Sequence, residues 1–422
     1  MDDSRNQNAA DSTKRLVDLC RRQRQGFSLE KTFYVSHEIF GIDCLAVFLR
    51  SWILAGHISQ FQKGKGYFSY DFGNESFLIT RDSNGVVRAF FNVCRHRGAV
   101  LCPSEEMGTS TTITCPYHSW VYSADGQLIS ARAMGDRFEA ERYSLKPCSI
   151  HVMNGFIFVS PRPWTSFERV TEDIGPLFRL HKLQDTAICA HRKWTVNANW
   201  KLLIENFDEC YHCAGLHPEL CEVVAHAKPE ALGDPESLRR LEADKLHWEA
   251  TLRRDGLPVG LVDLPFEFDH WGARYPLRSG KKTFNTDDRL LAPLLGDFRS
   301  SDGGVTSFRL YPCSYLIAAC DHCVMFQFSP IGPTTTEIKL SWLVKSHLTS
   351  ELGIDVERLT EFWSRVVEQD NAIVSLNQRG VDSSAYEPGP YGEVEDYCDR
   401  FDRWYINKLL LWAQNAEVPI SD

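Results

Sequence analysis

The chain has 422 residues, of which 43% are hydrophobic and 24% charged, and its formal net charge is −10. At about 150 residues per domain, this length predicts two to three domains with ample apolar material for a core, and it excludes a largely disordered or fibrous chain. The acidic balance argues against nucleic acid as a partner, because proteins that bind phosphates along a nucleic acid usually present a basic surface.

The fourteen cysteines are predicted to be reduced. Residues 1–14 are polar and charged, with none of the apolar sequence that indicates a secretory signal, so we expect a cytoplasmic protein without a disulfide framework. The longest uncharged apolar runs are far too short to span a membrane, and we predict no membrane association. Most of the cysteines are then expected to be small buried residues, and a few are candidate metal ligands.

The predicted elements begin with a helical N-terminal segment. From Phe33 to Ala55 apolar residues recur at helical spacing, and we assign residues 1–55 to the same body as the C-terminal part of the chain. Residues 56–160 then alternate between short strand-like runs and turn sequences such as Asp82-Ser83-Asn84-Gly85. This texture is typical of a compact all-β module.

Residues 161–422 predict a larger domain of mixed helices and strands, so that the whole chain is of the α+β class. Segment 228–305 has no clean period and is predicted to form long loops over the scaffold. Extended segments are expected at 191–196, 309–330 and 335–344, and helices at 200–216 and 356–378.

Two Cys/His pairs in the β module, Cys94-x-His96 and Cys115-x-x-His118, have the composition of a metal site. Two thiolates and two imidazoles at short spacing on loops form a ligand set for a metal. Zinc also accepts two cysteines and two histidines, but zinc fingers usually pair Cys with Cys and His with His. Pairs that mix one Cys with one His favour a [2Fe–2S] cluster in which the cysteines bind one iron and the histidines the other. Cys102 lies between the pairs, fits no ligand position and is interpreted as structural.

A second candidate metal site combines His212 and His217 with a distant carboxylate. Residues five apart do not share a face of a regular helix, but Pro218 disfavours helical geometry at His217, so an ending helix can bring both imidazoles to one metal. Asp370 lies within the apolar stripe of helix 356–378, where an unpaired charge would cost several kcal/mol. A metal bound by two histidines and a carboxylate removes that objection. The alternative is a structural Asp370 paired with Arg365 or Arg379.

These residues give the chain a family resemblance. Cys-x-His-Arg-Gly followed by Cys-Pro-Tyr-His-Ser-Trp resembles the ligand signature of Rieske proteins, and the chain from about Phe33 to about Leu410 resembles the large (alpha) subunits of Rieske non-haem iron oxygenases. The resemblance implies a Rieske [2Fe–2S] all-β domain (56–160) and a catalytic domain (161–422) in which an antiparallel sheet wraps a long helix, the helix-grip architecture. It implies cluster ligands Cys94, His96, Cys115 and His118, and mononuclear Fe(II) ligands His212, His217 and Asp370.

The resemblance also gives Glu209 a role. The family places an acidic residue, commonly Asp, three residues before the first iron-binding histidine, where it bridges the two metal centres of adjacent subunits. Here it would connect His212 with the partner's His118 in a homotrimer. A solvated Glu209 on a helix surface is the alternative, and Asp208 is a less suitable substitute, one position out of register.

Within the family, the chain is most similar to the oxygenases of glycine betaine, stachydrine and carnitine, in the stretch Glu205–Cys213, in Glu368–Asp370 and in Ser384–Tyr391. The implied reaction is hydroxylation of an N-methyl group by O₂, followed by loss of formaldehyde. Because no glycine-rich dinucleotide motif is evident, a separate NAD(P)H-dependent flavin/iron–sulfur reductase is the expected electron donor. Two alternatives remain open: a Rieske oxygenase that hydroxylates or O-demethylates an aromatic substrate, and a non-catalytic zinc-stabilised binding protein.

Overall fold

The N-terminal half contains a seven-stranded antiparallel sheet with the order β1-β10-β9-β4-β3-β2-β5 and a three-stranded sheet, β6-β7-β8. The structure is a computed structural model that describes residues 2–103, 106–135, 137–225, 235–262, 264–346 and 353–416. The strands are β1 Ile53–His57, β2 Gly66–Phe72, β3 Glu75–Arg81, β4 Val87–Phe91, β5 Met107–Gly108, β6 Thr112–Thr114, β7 Val121–Ser123, β8 Leu128–Ser130, β9 Pro147–Met153 and β10 Phe156–Ser160.

The N-terminal segment is helical only in part: the helical spacing from Phe33 holds as far as Phe48, but Ile53–Ala55 belong to a strand instead. The helices are α1 Asp2–Arg22, α2 Lys31–Val35 and α3 His37–Asp43, and the Ser36 side chain caps α3 by accepting a hydrogen bond from the Ile39 amide. Strand β1 then begins at Ile53, is buried along its whole length and pairs with β10. Pairing with a strand far away in sequence, which helical spacing does not reveal, has overridden the local pattern.

A second seven-stranded antiparallel sheet, with the order β11-β17-β16-β15-β14-β13-β12, forms the centre of the C-terminal half. The 27-residue helix α9 packs against β11, and α5 packs on β16. A large antiparallel sheet against a long helix, beside an all-β domain, confirms the predicted α+β fold. The strands are β11 Thr186–Val196, β12 Gly260–Val262, β13 His270–Pro276, β14 Gly304–Leu310, β15 Ser314–Ala318, β16 Cys323–Gly332 and β17 Thr335–Lys345.

The prediction of long loops holds for residues 277–303 but is wrong for other parts of segment 228–305. It contains a 20-residue helix and strand β13, while residues 228–234 and 263 lie outside the described residues. Ion pairs four residues apart, Arg240–Glu236 and Arg253–Glu249, support this helix along its polar surface. The helices of this half are α4 Glu168–Phe178, α5 Trp200–Asp208, α6 Cys213–Leu216, α7 Pro218–Val223, α8 Pro235–Arg254, α9 Val356–Asp382 and α10 Asp396–Ala416.

Two further observations concern the whole described chain. None of the fourteen cysteines, all of which lie in the described ranges, forms a disulfide. Among the described helices none combines the length and the apolar character needed to cross a membrane.

Candidate metal centres

The first candidate centre is built on two loops of similar geometry in the β domain. The Cys94 loop follows β4, and its backbone closes through the hydrogen bonds Cys94 N to Ala99 O (2.8 Å) and Gly98 N to Cys94 O (3.0 Å). The Cys115 loop connects β6 to β7 and closes in the same way, with Cys115 N bonded to Trp120 O (2.7 Å) and Ser119 N to Cys115 O (3.0 Å). Gly98 adopts a positive φ of 79°, which a glycine accommodates without strain.

The side chains of these two loops converge. The imidazole rings of His96 and His118 lie 4.6 Å apart between centroids, and the buried thiol groups of Cys94 and Cys115 interact with each other. Nδ1 of His96 is buried and has no hydrogen-bond partner among the described residues. A buried nitrogen without a partner is costly unless it binds something else, so this donor set fits an iron–sulfur cluster held by two cysteines and two histidines.

Aromatic side chains pack against the residues of this centre. The Trp120 indole stacks on the His96 ring at 4.8 Å with an interplanar angle of 10°. The Tyr122 hydroxyl accepts a hydrogen bond from the Arg95 amide (3.0 Å), which leaves its proton for the Cys94 sulfur 3.4 Å away. Cys102, interpreted as structural, points elsewhere and donates to the Glu106 carbonyl at 3.3 Å. The centre lies near the surface, because His118 and Tyr117 are both exposed.

The second candidate centre depends on a helix that ends earlier than predicted. We expected a helix over 200–216, but α5 ends at Asp208 and Glu209 is extended, with φ −130° and ψ 164°. The Asp208 carboxylate is fully buried, bonded to Arg309 and accepting from the hydroxyls of Tyr311 (2.9 Å) and Tyr315 (3.3 Å). These contacts fix the end of α5 against the sheet.

Because the helix is broken, His212 and His217 can face the same point although they are five residues apart. Their ring centroids lie 5.2 Å apart. Asp370 Oδ1, from the middle of α9, lies 2.9 Å from Nε2 of His217 and 3.4 Å from Nε2 of His212. Two imidazole nitrogens and one carboxylate oxygen thus meet at one place, which is the donor set of a non-haem Fe(II) site with open positions.

The other nitrogen of each histidine is also held. His217 Nδ1 lies 2.6 Å from Gln369 Oε1, and His212 Nδ1 bonds to the Glu209 carboxylate. An imidazole that donates from Nδ1 presents the lone pair of Nε2 to a metal. The sequence had given Gln369 no role, and its only local signal is that it precedes Asp370.

Electrostatics agree with this arrangement. Burial alone would raise the pKa of Asp370, but hydrogen bonds from both histidines lower it below its usual value. Although burial favours a neutral imidazole, contacts with Asp370 and Glu209 raise the pKa of His212 to about 10. The two imidazoles and the carboxylate thus form a set of groups that a bound cation would hold together.

The alternatives considered for single residues find no support in these contacts. Arg365 pairs with Glu361 at 2.7 Å rather than with Asp370. The Glu209 side chain is only 12% exposed and accepts hydrogen bonds from the amides of Tyr211 and His212, so it is not a solvated surface group. Asp208 faces Arg309 and the two tyrosines instead of His212.

Cys213 is a further neighbour of the histidines. Its sulfur lies 3.9 Å from Nε2 of His212, and the three potential donor atoms of His212, Cys213 and His217 lie within 4.8 Å of one another. Interaction with Cys210 and burial raise the pKa of the Cys213 thiol well above its usual value. The buried thiol packs beside the two histidines.

A cavity of about 420 Å³ opens beside His212, and we call it the His212 cavity. Its walls come from α5, from α9 and α10, and from the loop between them. Its lining includes Tyr34, Glu205, Glu209, His212, Tyr386, Tyr391 and Cys398.

Comparisons with known proteins agree with this geometry. The family model described as "Ring hydroxylating alpha subunit (catalytic domain)" matches residues 163–410, and that of the Rieske [2Fe–2S] domain matches residues 51–146. The glycine betaine monooxygenase oxygenase subunit of Pseudomonas aeruginosa is 32% identical over 415 residues, covering 96% of this chain and 95% of that protein.

Two more distant relatives extend the comparison. The carnitine monooxygenase oxygenase subunit of Acinetobacter baumannii is 28% identical over 378 residues, covering 87% of this chain and 89% of that protein. The solved structure of the quaternary ammonium Rieske monooxygenase CntA with L-carnitine matches with a TM-score of 0.66 and 22% identity. It covers 93% of this chain and 98% of that chain, and at this identity the match demonstrates the shared fold.

Proposed function

This chain belongs to the family of Rieske non-haem iron oxygenase alpha subunits, and on that premise we propose that it hydroxylates an N-methyl group of a quaternary ammonium compound. Membership in the family means that it is an oxidoreductase with a Rieske [2Fe–2S] cluster and a mononuclear iron. The proposed substrates are glycine betaine, stachydrine or a compound similar to carnitine. The observation that supports this choice is the 32% identity, along almost the whole chain, with a glycine betaine monooxygenase subunit.

The convergent side chains of the two centres are the proposed metal ligands. Cys94 and Cys115 would hold one iron of the cluster, and His96 and His118 the other. His212, His217 and Asp370 would hold the mononuclear iron, for which the 2.9 and 3.4 Å approaches of Asp370 to the two imidazoles are the support. When bound, the cluster supplies electrons one at a time and the mononuclear iron activates O₂.

The chain's own side chains orient these ligands. Gln369 accepts a hydrogen bond from His217 Nδ1 and Glu209 accepts one from His212 Nδ1, so both rings direct Nε2 to Asp370. The reaction consumes O₂, two electrons and two protons, and inserts one oxygen atom into a C–H bond while the other leaves as water. The hydroxymethyl ammonium product then breaks its C–N bond, releasing formaldehyde, a proton and the demethylated amine.

The proposed assembly is a homotrimer in which the mononuclear iron site of one subunit lies next to the iron–sulfur cluster of a neighbouring subunit. Glu209 would accept a hydrogen bond from the partner's His118 while it holds His212, which links the two centres for electron transfer. The exposed position of His118 and the opening of the cavity beside Glu209 are compatible with such a contact. A separate NAD(P)H-dependent flavin/iron–sulfur reductase would deliver the electrons.

Turnover assays test the substrate. The purified oxygenase is mixed with a flavin/iron–sulfur reductase, NADH and O₂, and is offered glycine betaine, stachydrine or carnitine in parallel with an aryl methyl ether and an unsubstituted aromatic ring. We expect formaldehyde in amounts that match the demethylated amine from at least one quaternary ammonium compound. Formaldehyde or hydroxylated product from the aromatic compounds alone would favour the aromatic alternative and reject our choice.

Electron paramagnetic resonance tests the metal content independently of substrate. The dithionite-reduced protein should give a Rieske signal, and metal analysis should return three iron atoms per chain. A colourless protein that contains zinc and gives no signal would instead support the zinc-stabilised binding protein.

A further inference from the structure

Two buried carboxyl groups face each other close to the proposed iron site. Glu205 lies on α5 and Asp402 on α10, with exposed fractions of 8% and 3%, and their side chains interact directly. The Tyr34 hydroxyl donates to Glu205 Oε1 at 2.8 Å, and the Tyr391 hydroxyl donates to Asp402 Oδ2 at 2.9 Å. Asp402 Oδ1 is buried and has no hydrogen-bond partner among the described residues. Nothing in the metal sites requires this acid pair.

The acid pair separates two cavities. Glu205 lines the His212 cavity together with Glu209 and His212. Asp402 lines a second cavity of about 250 Å³, which lies between the end of α1 and α10 and which also exposes Asp399 and Arg403. A group at one cavity is therefore in contact with a group at the other, and water in the second cavity has access to the pair without crossing the His212 cavity.

The pair holds a proton near neutral pH. Two carboxylates in contact in a buried site cannot both be ionised, because their like charges repel strongly in surroundings of low polarity. Burial raises the pKa of Glu205 to about 8, although the hydrogen bond from Tyr34 and the charge of Lys201 oppose this. Burial and then the Glu205 charge raise the pKa of Asp402 well above its usual value. A group whose pKa lies near the working pH is suited to give and regain a proton.

Other titratable groups also face the pair. On α5 they are Lys201 and Asp208, and from the remaining elements they are Tyr34, Tyr386, Tyr391, Cys398 and Asp399. Only Lys201 among them is cationic, and it is already bonded to Asp43 at 2.6 Å. The surroundings therefore favour the protonated form of the pair over a second carboxylate charge.

We propose that Glu205 and Asp402 form a proton relay that conducts protons from the second cavity to the His212 cavity during reduction of O₂. The inference rests on the proposed function, since each N-methyl hydroxylation consumes O₂, two electrons from the reductase and two protons. The relay forms and breaks only O–H bonds. As Glu205 gives its proton toward the iron site, Asp402 takes a proton from water in the second cavity. That proton then passes from Asp402 to Glu205, which restores the starting state.

Infrared spectroscopy of the resting holoenzyme tests whether the pair holds a proton. The parental protein should show a carboxylic acid carbonyl band that shifts in D₂O and titrates at about pH 8. Glu205→Gln should lose that titration. Glu337→Gln, which removes a β17 carboxylate paired with Lys193 of β11, should keep it. A parental spectrum without such a titration, or one unchanged in Glu205→Gln, would overturn the proposal.

Turnover of the relay variants is the second test. Glu205→Gln and Asp402→Asn should retain iron and the Rieske signal but turn over at least about 100-fold more slowly, the lower end of what loss of a proton-transferring group typically costs. A larger share of the O₂ consumed should appear as hydrogen peroxide, the solvent isotope effect should rise, and Glu205→Asp should recover part of the rate. Parental rate and peroxide yield in both variants would contradict the relay, and so would loss of iron from both, since a structural role then accounts for the effect.

One further variant covers the case in which removal of a buried carboxyl prevents folding. Tyr391→Phe keeps both acids but removes the hydroxyl that donates to Asp402 and lowers its pKa, so the alkaline limb of the pH–rate profile should move to higher pH while the iron content stays the same. An unmoved profile would count against the relay. Failure of the proposed substrate would appear separately, as formaldehyde from no quaternary ammonium compound, because the infrared titration needs no substrate.

Discussion

Asp370 Oδ1 lies 2.9 Å from Nε2 of His217, although the two residues are 153 positions apart in the chain. The contact joins the middle of α9 to the short turn between α6 and α7, and it is the reason why an aspartate can stay in an otherwise apolar helix face. With His212 at 3.4 Å from the same oxygen, it defines the place where the proposed mononuclear iron would bind.

Replacement of Asp370 should affect the mononuclear iron site and leave the cluster intact. In Asp370→Ala we expect the visible spectrum of the cluster to persist while mononuclear iron is lost and turnover falls by more than about 100-fold, since even supporting residues of metal sites change affinity or activity by 10–100-fold. Glu368→Ala is the matched control, because Glu368 is exposed on the same helix. Iron analysis and formaldehyde assays check the result, and full iron occupancy in Asp370→Ala would show that the ligand assignment is wrong.

Glu209→Gln tests the proposed bridge between subunits. Both metals should remain, because the amide can still accept from His212, but electron transfer from cluster to iron should slow by about 10–100-fold when the negative charge is lost. Single-turnover oxidation of the pre-reduced cluster in the presence of substrate measures this step. Glu222→Gln, at an exposed acid on α7, is the control.

Mixed assemblies sharpen the test of Glu209. Inactive His118→Ala chains combined with Glu209→Gln chains contain some interfaces in which an intact Glu209 meets an intact His118. We expect such mixtures to recover part of the activity that neither variant has alone. Undiminished turnover in Glu209→Gln, or no recovery in the mixture, would argue against transfer between subunits.

Tyr122→Phe should lower the reduction potential of the cluster. Its hydroxyl donates toward the Cys94 sulfur at 3.4 Å, and such a bond stabilises the more negative, reduced state. Loss of one hydrogen bond of about 1 kcal/mol corresponds to about 40 mV for a one-electron couple. A redox titration followed by electron paramagnetic resonance measures the shift. Tyr143→Phe should leave the potential unchanged, because that ring contacts Trp120 and Phe138 and donates to no cluster sulfur in the described structure.

The stability of the protein should fall in mild acid partly because of His57. Burial lowers the pKa of His57 to about 4, with the Leu183 carbonyl opposing the shift, whereas an unfolded histidine titrates at about 6.5. Because the unfolded state then binds more protons, the contribution is present above about pH 6.5 and is lost as the pH falls to about 4, at a cost of about 3 kcal/mol.

Urea unfolding at a series of pH values checks this effect. In His57→Gln the free energy of unfolding should decrease less steeply between about pH 6.5 and 4 than in the parental protein. His37→Gln, at an exposed histidine, should keep the parental slope. Equal slopes in the parental protein and His57→Gln would contradict the assignment of the acid sensitivity to this buried ring.

The sequence by itself determined the class of the protein. The Cys94/His96 and Cys115/His118 spacings are local, since each pair lies within one loop, and a ligand set can be recognised wherever chain distance fixes spatial distance. The apolar residues around Asp370 also marked it as a candidate ligand, because a charge within an apolar helix stripe requires a partner. The all-β character of residues 56–160 followed from strand-like runs and turns for the same local reason.

Only the tertiary structure shows where a local sequence pattern predicts the wrong helix or strand. The helix predicted over 200–216 ends at Asp208 because Arg309, Tyr311 and Tyr315 from the distant sheet hold that carboxylate. Residues 53–55 form a strand because β10 is available to pair with them. Packing of α5 against α10 likewise brings Glu205 to Asp402, and no periodicity encodes it. Contacts between distant segments depend on how whole elements pack, which a pattern within either segment does not contain.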